Sequence, residues 1–221
     1  MRNKNKGQDP DAAPALTDAE RTKANILEVA AEEFAIKGLS GARVDEIADK
    51  TRTSKRMIYY YFGGKEGLYR AVLEQMYGDM RSVEAHLDLD VMSPMDALKR
   101  LVEQTFDYDE SHPNHIRLVS VENIHQARHL SKLKSISETN ASAIAMLTSI
   151  LERGRATGVF RADIAALDLH LLISAFCFFR VSNRYTFGTI FGKDLTEPKL
   201  RNRHKKLIVE TIERLVSIEP G

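Results

Sequence analysis

The stretch from Arg43 to Lys65, RVDEIADKTRTSKRMIYYYFGGK, limits what this chain can become more than any other part of it. Val44, Ile47 and Ala48 stand at i, i+3 and i+4, so a short helix there carries one apolar stripe. Thr51-Arg52-Thr53 breaks that period, and Ser54 is a good N-cap for a second short helix from about Lys55 to Tyr61. In that helix Ile58, Tyr61 and Phe62 can face inward, which leaves Lys55, Arg56, Met57, Tyr59 and Tyr60 outside. A helix face of Lys, Arg and Tyr suits an anionic partner. Two short helices about a tight turn, the second basic and aromatic, fit a helix-turn-helix whose second helix enters the DNA major groove. The competing reading, a solvated charged face, leaves two exposed tyrosines without a purpose.

Charge supports a local rather than a global interface. The 221 residues hold 32 basic against 31 acidic side chains, so the chain is no general polyanion binder. Residues 41–70 hold seven Lys or Arg against four Asp or Glu, a local +3, and DNA affinity must come from such a patch. The single cysteine, Cys177, excludes an intrachain disulfide and suits a reducing compartment; its apolar helical surroundings predict an inert side chain. No signal peptide is visible, and the longest apolar run, Leu171 to Phe179, is far below the roughly 20 residues that cross a bilayer. These features predict a soluble, cytoplasmic protein with no membrane partner.

Ser54-Lys55, Ile58-Tyr59, Tyr61-Phe62 and Lys65-Glu66-Gly67-Leu68 together resemble the recognition-helix signature of the TetR (tetracycline-repressor) family, S-K-x-x-L-Y-x-Y-F-x-x-K-E-x-L. Ala30, Phe34, Gly38, Val44, Ile47 and Ala48 also fall where that family places its small domain's core and turns. The resemblance covers roughly residues 20–75. Three positions depart from it. Arg52 stands where the family usually has a turn Gly, so either an Arg takes a left-handed conformation or the turn is built differently. Ala42 replaces the usual Thr cap, and Gly64 replaces the usual Ser, Asn or Asp before Lys65, where Gly caps without a side chain.

The resemblance implies that Lys55, Tyr59 and Lys65 contact phosphate; Lys65 also stands at a helix N-terminus, which favours an anion. Arg56, Met57 and Tyr60 point toward base edges, where an Arg can pair with guanine O6 and N7. Arg43 and Thr53 are flanking phosphate contacts, and Ser54 joins them as the cap of the recognition helix.

Along the chain, residues 1–16 contain Arg2, Lys4 and Lys6 and read as a flexible basic arm, either a plain tail or a tracker of the DNA backbone or minor groove. Thr17-x-x-Glu20 is a capping box that opens the first long helix, and Gly38 ends it. A fourth helix runs from Lys65 to about His86 and links the two halves mechanically. Ser93-Pro94-x-Asp96 starts a fifth, which His112-Pro113 stops near Glu110. The sixth spans His115 to about Arg128, the seventh about Ser135 to Thr157, and the eighth about Ala165 to Asn183. An aromatic, Gly-containing loop from Tyr185 to Gly192 follows, and Thr196 caps a ninth helix from Glu197-Pro198 to about Ile218.

The fold expected is therefore all-α, with about nine helices: a helix-turn-helix domain over 17–64 and a ligand-binding and dimerisation domain over 65–221. The eighth helix is apolar nearly all round, and the ninth adds Leu207, Ile208 and Ile212 at helical spacing. Packing within one subunit would account for them. The resemblance implies a homodimer through these last two helices, and two half-sites of a palindromic operator ask for the same.

The second half carries the candidate ligand groups Asn123, His125, Phe176, Arg180 and Asn183. With Arg180 and Asn183 inward, an apolar pocket with a few polar anchors suits a small aromatic acid or nitrogen heterocycle as inducer. Outward snorkelling or capping of helix carbonyls is the other fate open to them. In outline this half resembles the TetR subgroup that controls breakdown of nitrogen heterocycles and aromatic acids. Glu122, His125 and His129 at i, i+3 and i+7 could share a face, but such a face is usually hydrogen-bonded or solvated, and no metal is assigned. Without a Gly-rich phosphate loop, a nucleophile elbow or a strand pattern, neither an enzyme nor a cofactor is expected. The readings left standing are an inducer-controlled repressor of DNA transcription and a DNA-binding dimer governed by a protein partner or by architecture alone.

Overall fold

The computed structural model describes residues 17–218, the side chains of 137–140 excepted; the basic arm expected over 1–16 lies outside the described residues. Ten α-helices succeed one another: α1 (Asp18–Gly41), α2 (Val44–Thr51), α3 (Lys55–Phe62), α4 (Lys65–Ala85), α5 (Pro94–Ser111), α6 (Pro113–Ile124), α7 (Lys134–Ala156), α8 (Ala166–Ser182), α9 (Arg184–Phe191) and α10 (Pro198–Val216). Among the described residues there is no strand, only an isolated backbone bridge between Phe160 and Ser217.

The chain starts as its capping signals dictate. Thr17 accepts the Glu20 N–H while Glu20 reaches back to the Thr17 N–H at 2.8 Å. Gly38 takes φ 66°, which breaks α1 before a last turn to Gly41. Ile26, Ala30 and Phe34 of α1 then pack with Ile47 of α2, Ile58 and Phe62 of α3 and Leu68, Tyr69 and Leu73 of α4 in one apolar cluster. The junction of α3 and α4 is close: a β-carbon on Gly67 would stand 1.8 Å from the Phe62 carbonyl oxygen, so only glycine fits there.

A second cluster joins Leu98, Leu101 and Phe106 of α5, Leu147 and Ile150 of α7, Ile173 and Cys177 of α8, and Ile212 and Val216 of α10. Burial pushes the Cys177 thiol up, in keeping with an inert role. The helix α4 serves both clusters, carrying Tyr69 and Leu73 in the first and the buried pair Arg81–Glu84 beside the second.

Three sequence expectations need correction. The loop expected over Tyr185–Gly192 is helix α9, so the described residues hold ten α-helices, with Gly192 in the left-handed C-cap (φ 60°). The sixth helix stops at Ile124 rather than Arg128, because Gln126 and Ala127 both take φ 56°. Glu122 compensates that break: its Oε2 accepts the His129 and Leu130 N–H groups at 3.1 and 3.0 Å. Finally, Thr196 turns its hydroxyl to Asp194 (2.6 Å), and Glu197 takes the N-cap position of α10.

Candidate nucleic-acid interface

The turn between α2 and α3 is made by Arg52 in the left-handed conformation, φ 53° and ψ 34°. That answers the alternative left open by the missing glycine, at a cost of about 1–2 kcal/mol for a non-glycine residue. The turn is held by backbone and threonines. Thr53 N–H donates to the Ala48 carbonyl at 3.0 Å, and the Thr51 and Thr53 hydroxyls meet at 2.7 Å. Ser54 caps α3 by accepting the Met57 N–H at 3.3 Å. With α3 fixed by Ile58 and Phe62, Lys55, Arg56, Tyr59 and Tyr60 are exposed, Tyr60 to 79%, and Met57 is half-buried.

The cations on this face differ in how free they are. Arg56 makes no ion pair among the described residues. Lys55 pairs with Asp45 across the turn, and Arg43 lies 3.9 Å from the same carboxylate. Lys65 donates to the Ser40 carbonyl at 3.1 Å, tying the end of α1 to the start of α4. Its N-cap residue Gly64 has φ 124°, a conformation that L side chains rarely adopt.

Sequence reasoning missed Glu33. Its carboxylate, only 2% exposed, receives Lys37 and Lys50 together and so clamps α1 onto α2. Those two lysines hold its carboxyl below the usual range. A charged residue between Glu32 and Phe34 gives no local sign of such a role.

The candidate ligand residues do not converge. Asn123 and His125 are exposed at the end of α6, His125 beside the first turn of α4, whereas Phe176, Arg180 and Asn183 sit on the second half and at the end of α8. Because α6 ends at Ile124, His125 and His129 share no helical face, and Glu122 is occupied elsewhere. Its Oε1 accepts the Tyr69 hydroxyl at 3.0 Å and stands 3.0 Å from His129 Nδ1. Burial opposes the Glu122 charge, but the hydrogen bonds from Leu130, His129 and Tyr69 outweigh it and hold the carboxyl below its usual range.

Arg180 is no free anchor either. Its Nη1 pairs with Glu110 Oε1 at 2.5 Å and its Nη2 donates to the Leu195 carbonyl at 2.5 Å, over the Phe106 ring. Neither outward snorkelling nor capping of a helix carbonyl occurs, because Leu195 lies in the turn before α10, and a charge already neutralised by Glu110 has little left for a second anion. Asn183 is half-buried, donating to Ser182 Oγ at 2.8 Å.

In the interior between α4, α5, α7 and α8, the space left is about 10 Å³, lined by Glu84, Thr105 and His170 among apolar neighbours. Close by, Asp109 is 6% exposed, and burial together with Glu110 and Glu84 pushes its carboxyl up to about 7. On the outside, α8 shows Leu167, Leu171 and Phe179, and α10 shows Leu207. No single described helix is long and apolar enough to cross a membrane; α8 and α9 together pass by composition but are bent by 68°.

Residues 26–72 match the family model described as bacterial regulatory proteins, tetR family, and residues 94–212 match the tetracyclin repressor-like C-terminal domain. The chain is 37% identical over 183 residues to the HTH-type transcriptional repressor NicS of Pseudomonas putida, across 83% of this chain and 86% of that protein. It is 31% identical over 206 residues to the HTH-type transcriptional repressor SCO4008 of Streptomyces coelicolor, across 90% of this chain and 100% of that one. The crystal structure of a tetR-family regulatory protein from Rhodococcus RHA1 shares the fold, with a TM-score of 0.70 at 20% identity, covering 90% of this chain and 99% of the other.

Proposed function

This chain belongs to the TetR family of transcriptional regulators, and from that premise we propose that it represses transcription as a cytoplasmic homodimer on a palindromic operator, released by a small molecule. The observation that carries the DNA-binding half is α3: a helix fixed by two buried side chains, with Lys55, Arg56, Tyr59 and Tyr60 all in solvent. On this reading 17–64 is the DNA-binding domain and 65–221 the regulatory one. Arg43, Thr53, Ser54, Lys55, Tyr59 and Lys65 position the domain on phosphates, and Arg56, Met57 and Tyr60 read bases. The dimer forms through the open apolar faces of α8 and α10, where the described residues leave Leu171, Phe179 and Leu207 exposed.

The inducer, on this reading, is an aromatic acid or a nitrogen heterocycle held in the regulatory interior rather than at Arg180. Asp109, which titrates near neutral pH, can donate a hydrogen bond to a ring nitrogen or accept one from a ring N–H. The interior has room for about one water, so a ligand must part the helices around it. That displacement would reach the recognition helix through α4 and the Tyr69–Glu122 hydrogen bond. Release requires the ligand to prefer the parted state by several kcal/mol.

The same closed interior favours a second reading, a DNA-binding dimer governed by a protein partner without an inducer. Two measurements separate them. Sequencing DNA retained by the pure protein gives the operator, and a DNA-release titration with aromatic acids and nucleobase-like heterocycles tests the inducer. A retained pool without a two-fold repeat sinks the operator reading, and a protein that no compound releases favours the partner-governed one.

A further inference from the structure

A cleft of about 410 Å³ opens between α1, α4 and the α5–α6 junction. Leu27, Val72, Met76 and Leu118 give it an apolar floor. Glu28 and Glu32, one turn apart on α1, and Asp79 on α4 share its rim, and none of the three makes an ion pair among the described residues. Desolvation holds the Asp79 carboxyl above its usual range, although the Gln75 side chain donates a hydrogen bond to it.

The fourth wall carries an independent signal. His115 is 8% exposed, and its Nδ1 is buried with no hydrogen-bond partner among the described residues. The ring is held edge-on by Tyr77 and Tyr108, with centroids at 5.6 and 5.8 Å. Burial keeps it neutral, pushing its pKa down to about 4, so it offers the cleft an uncharged imidazole rather than a cation. A buried polar atom without a partner is uncommon in a folded protein and marks a place where a group is missing.

We propose that this cleft binds a small organic cation, an amine on an aromatic or other apolar body. The floor takes the body, and the carboxylates of Glu28, Glu32 and Asp79 take the ammonium. His115 adds an uncharged polar wall that does not repel it. Anions are repelled by the three carboxylates, and because the cleft and the interior assigned to the inducer share no lining residue, the two readings can fail independently. Its walls come from α1, which packs on the recognition unit, and from α5 and α6, so occupancy bridges the two halves of the molecule.

The test is direct binding by the full-length protein, followed by calorimetry and by backbone amide shifts. The probes are phenethylammonium, neutral 2-phenylethanol and benzoate. The proposal expects phenethylammonium to bind with a Kd of about 1 mM or tighter, the alcohol about tenfold more weakly, and benzoate not at all. Shifts should centre on residues 24–32, 72–79 and 108–118. The double substitution Glu28→Gln with Glu32→Gln, at exposed positions, should weaken the amine about tenfold while leaving the melting temperature unchanged. His115→Phe, which keeps the ring bulk, should weaken it as well. Equal binding of all three probes, an unaffected double variant, or no amine binding at about 50 mM overturns the proposal.

Discussion

The helix-turn-helix and the regulatory core solve opposite electrostatic problems. On α3 the charges and phenols stand in water; among the described residues Arg56 makes no ion pair and Lys55 joins a half-exposed Asp45. In the core, Arg180 is buried against Glu110, Arg81 against Glu84, and Glu122 among four donors. Exposed cations cost almost nothing to hold ready and can be redirected to a phosphate. Buried pairs are expensive to separate, so they fix helix positions until something else supplies the missing partner. The difference teaches that recognition chemistry is displayed in one half, while the other half uses its charges to hold a shape.

Breaking the assembly should have the largest effect. Leu171→Asp with Leu207→Asp puts two charges on the apolar faces left open by α8 and α10, while Ile208 keeps its inward packing. The expected protein is helical and monomeric, with operator affinity lowered about a hundredfold or more by losing simultaneous engagement of two half-sites. Sedimentation and band-shift titration check both parts. A wild-type monomer, or an unchanged operator affinity in the variant, breaks the dimer model.

The next effect lies at the joint between the two regions. Glu122→Leu orphans the Tyr69 hydroxyl and the His129 and Leu130 N–H groups, which should cost about 2–4 kcal/mol of stability by denaturant titration. Wild-type stability from this group should be present above the ordinary carboxylate range and fade as pH falls below it, because its folded pKa is depressed. Loss of less than about 0.5 kcal/mol would mean that solvent already serves these groups.

Asp109 sharpens the contrast with the opposite sign. Its folded pKa is raised to about 7, so between the unfolded value and pH 7 the native state binds the extra proton. This group's contribution therefore lowers stability as pH rises from about 4 to 7, and the penalty stays above that. Asp109→Asn should raise stability at pH 8 by on the order of 2 kcal/mol and flatten that slope. Parallel melting curves for the two proteins across this range would contradict the assignment.

The two regions also differ in how far their sequence could be read. In the helix-turn-helix, Ser54, the Val44–Ile47–Ala48 stripe and the Thr17–Glu20 box act over three or four residues, and the helices lie where these signals put them. In the core the deciding partners are distant. Arg180 meets Glu110, 70 positions away, so its use as an interior strut left no local trace. The early end of α6 follows from contacts of Glu122 that exist only once the chain turns back. By sequence alone the α9 segment looks like a loop, because Gly188 and Gly192 punctuate it. In the fold, Gly188 packs against the Lys193 carbonyl, where a β-carbon would approach to 2.7 Å.

Within the recognition unit itself, Arg56 and Lys65 offer a finer comparison between reading and positioning. Arg56→Ala should relax preference at one operator position, at about 1–3 kcal/mol there. Lys65→Ala should weaken all sequences alike, and more modestly, because its ammonium is shared with the Ser40 carbonyl. Binding-site selection with both variants decides it; an unchanged preference profile for Arg56→Ala removes that residue from the base readers.

The smallest effect expected concerns Asp45, which sits between the two regimes. It is half-exposed, yet it holds Lys55 and stands 3.9 Å from Arg43, two of the cations assigned to phosphate. On DNA that carboxylate must give up Lys55 and remain near the backbone as a like charge. Asp45→Asn removes both costs and keeps the side chain's shape. Folding stability should change by no more than about 0.5 kcal/mol, because an exposed pair contributes little and the first turn of α2 loses only one favourable acid. Operator affinity should rise about threefold to fivefold at low salt, equally on specific and scrambled DNA, and the gain should shrink as salt is added. A gain confined to the specific operator would instead place Asp45 among the residues that read bases. No gain at any salt would mean that Lys55 stays with its carboxylate on DNA and contacts no phosphate.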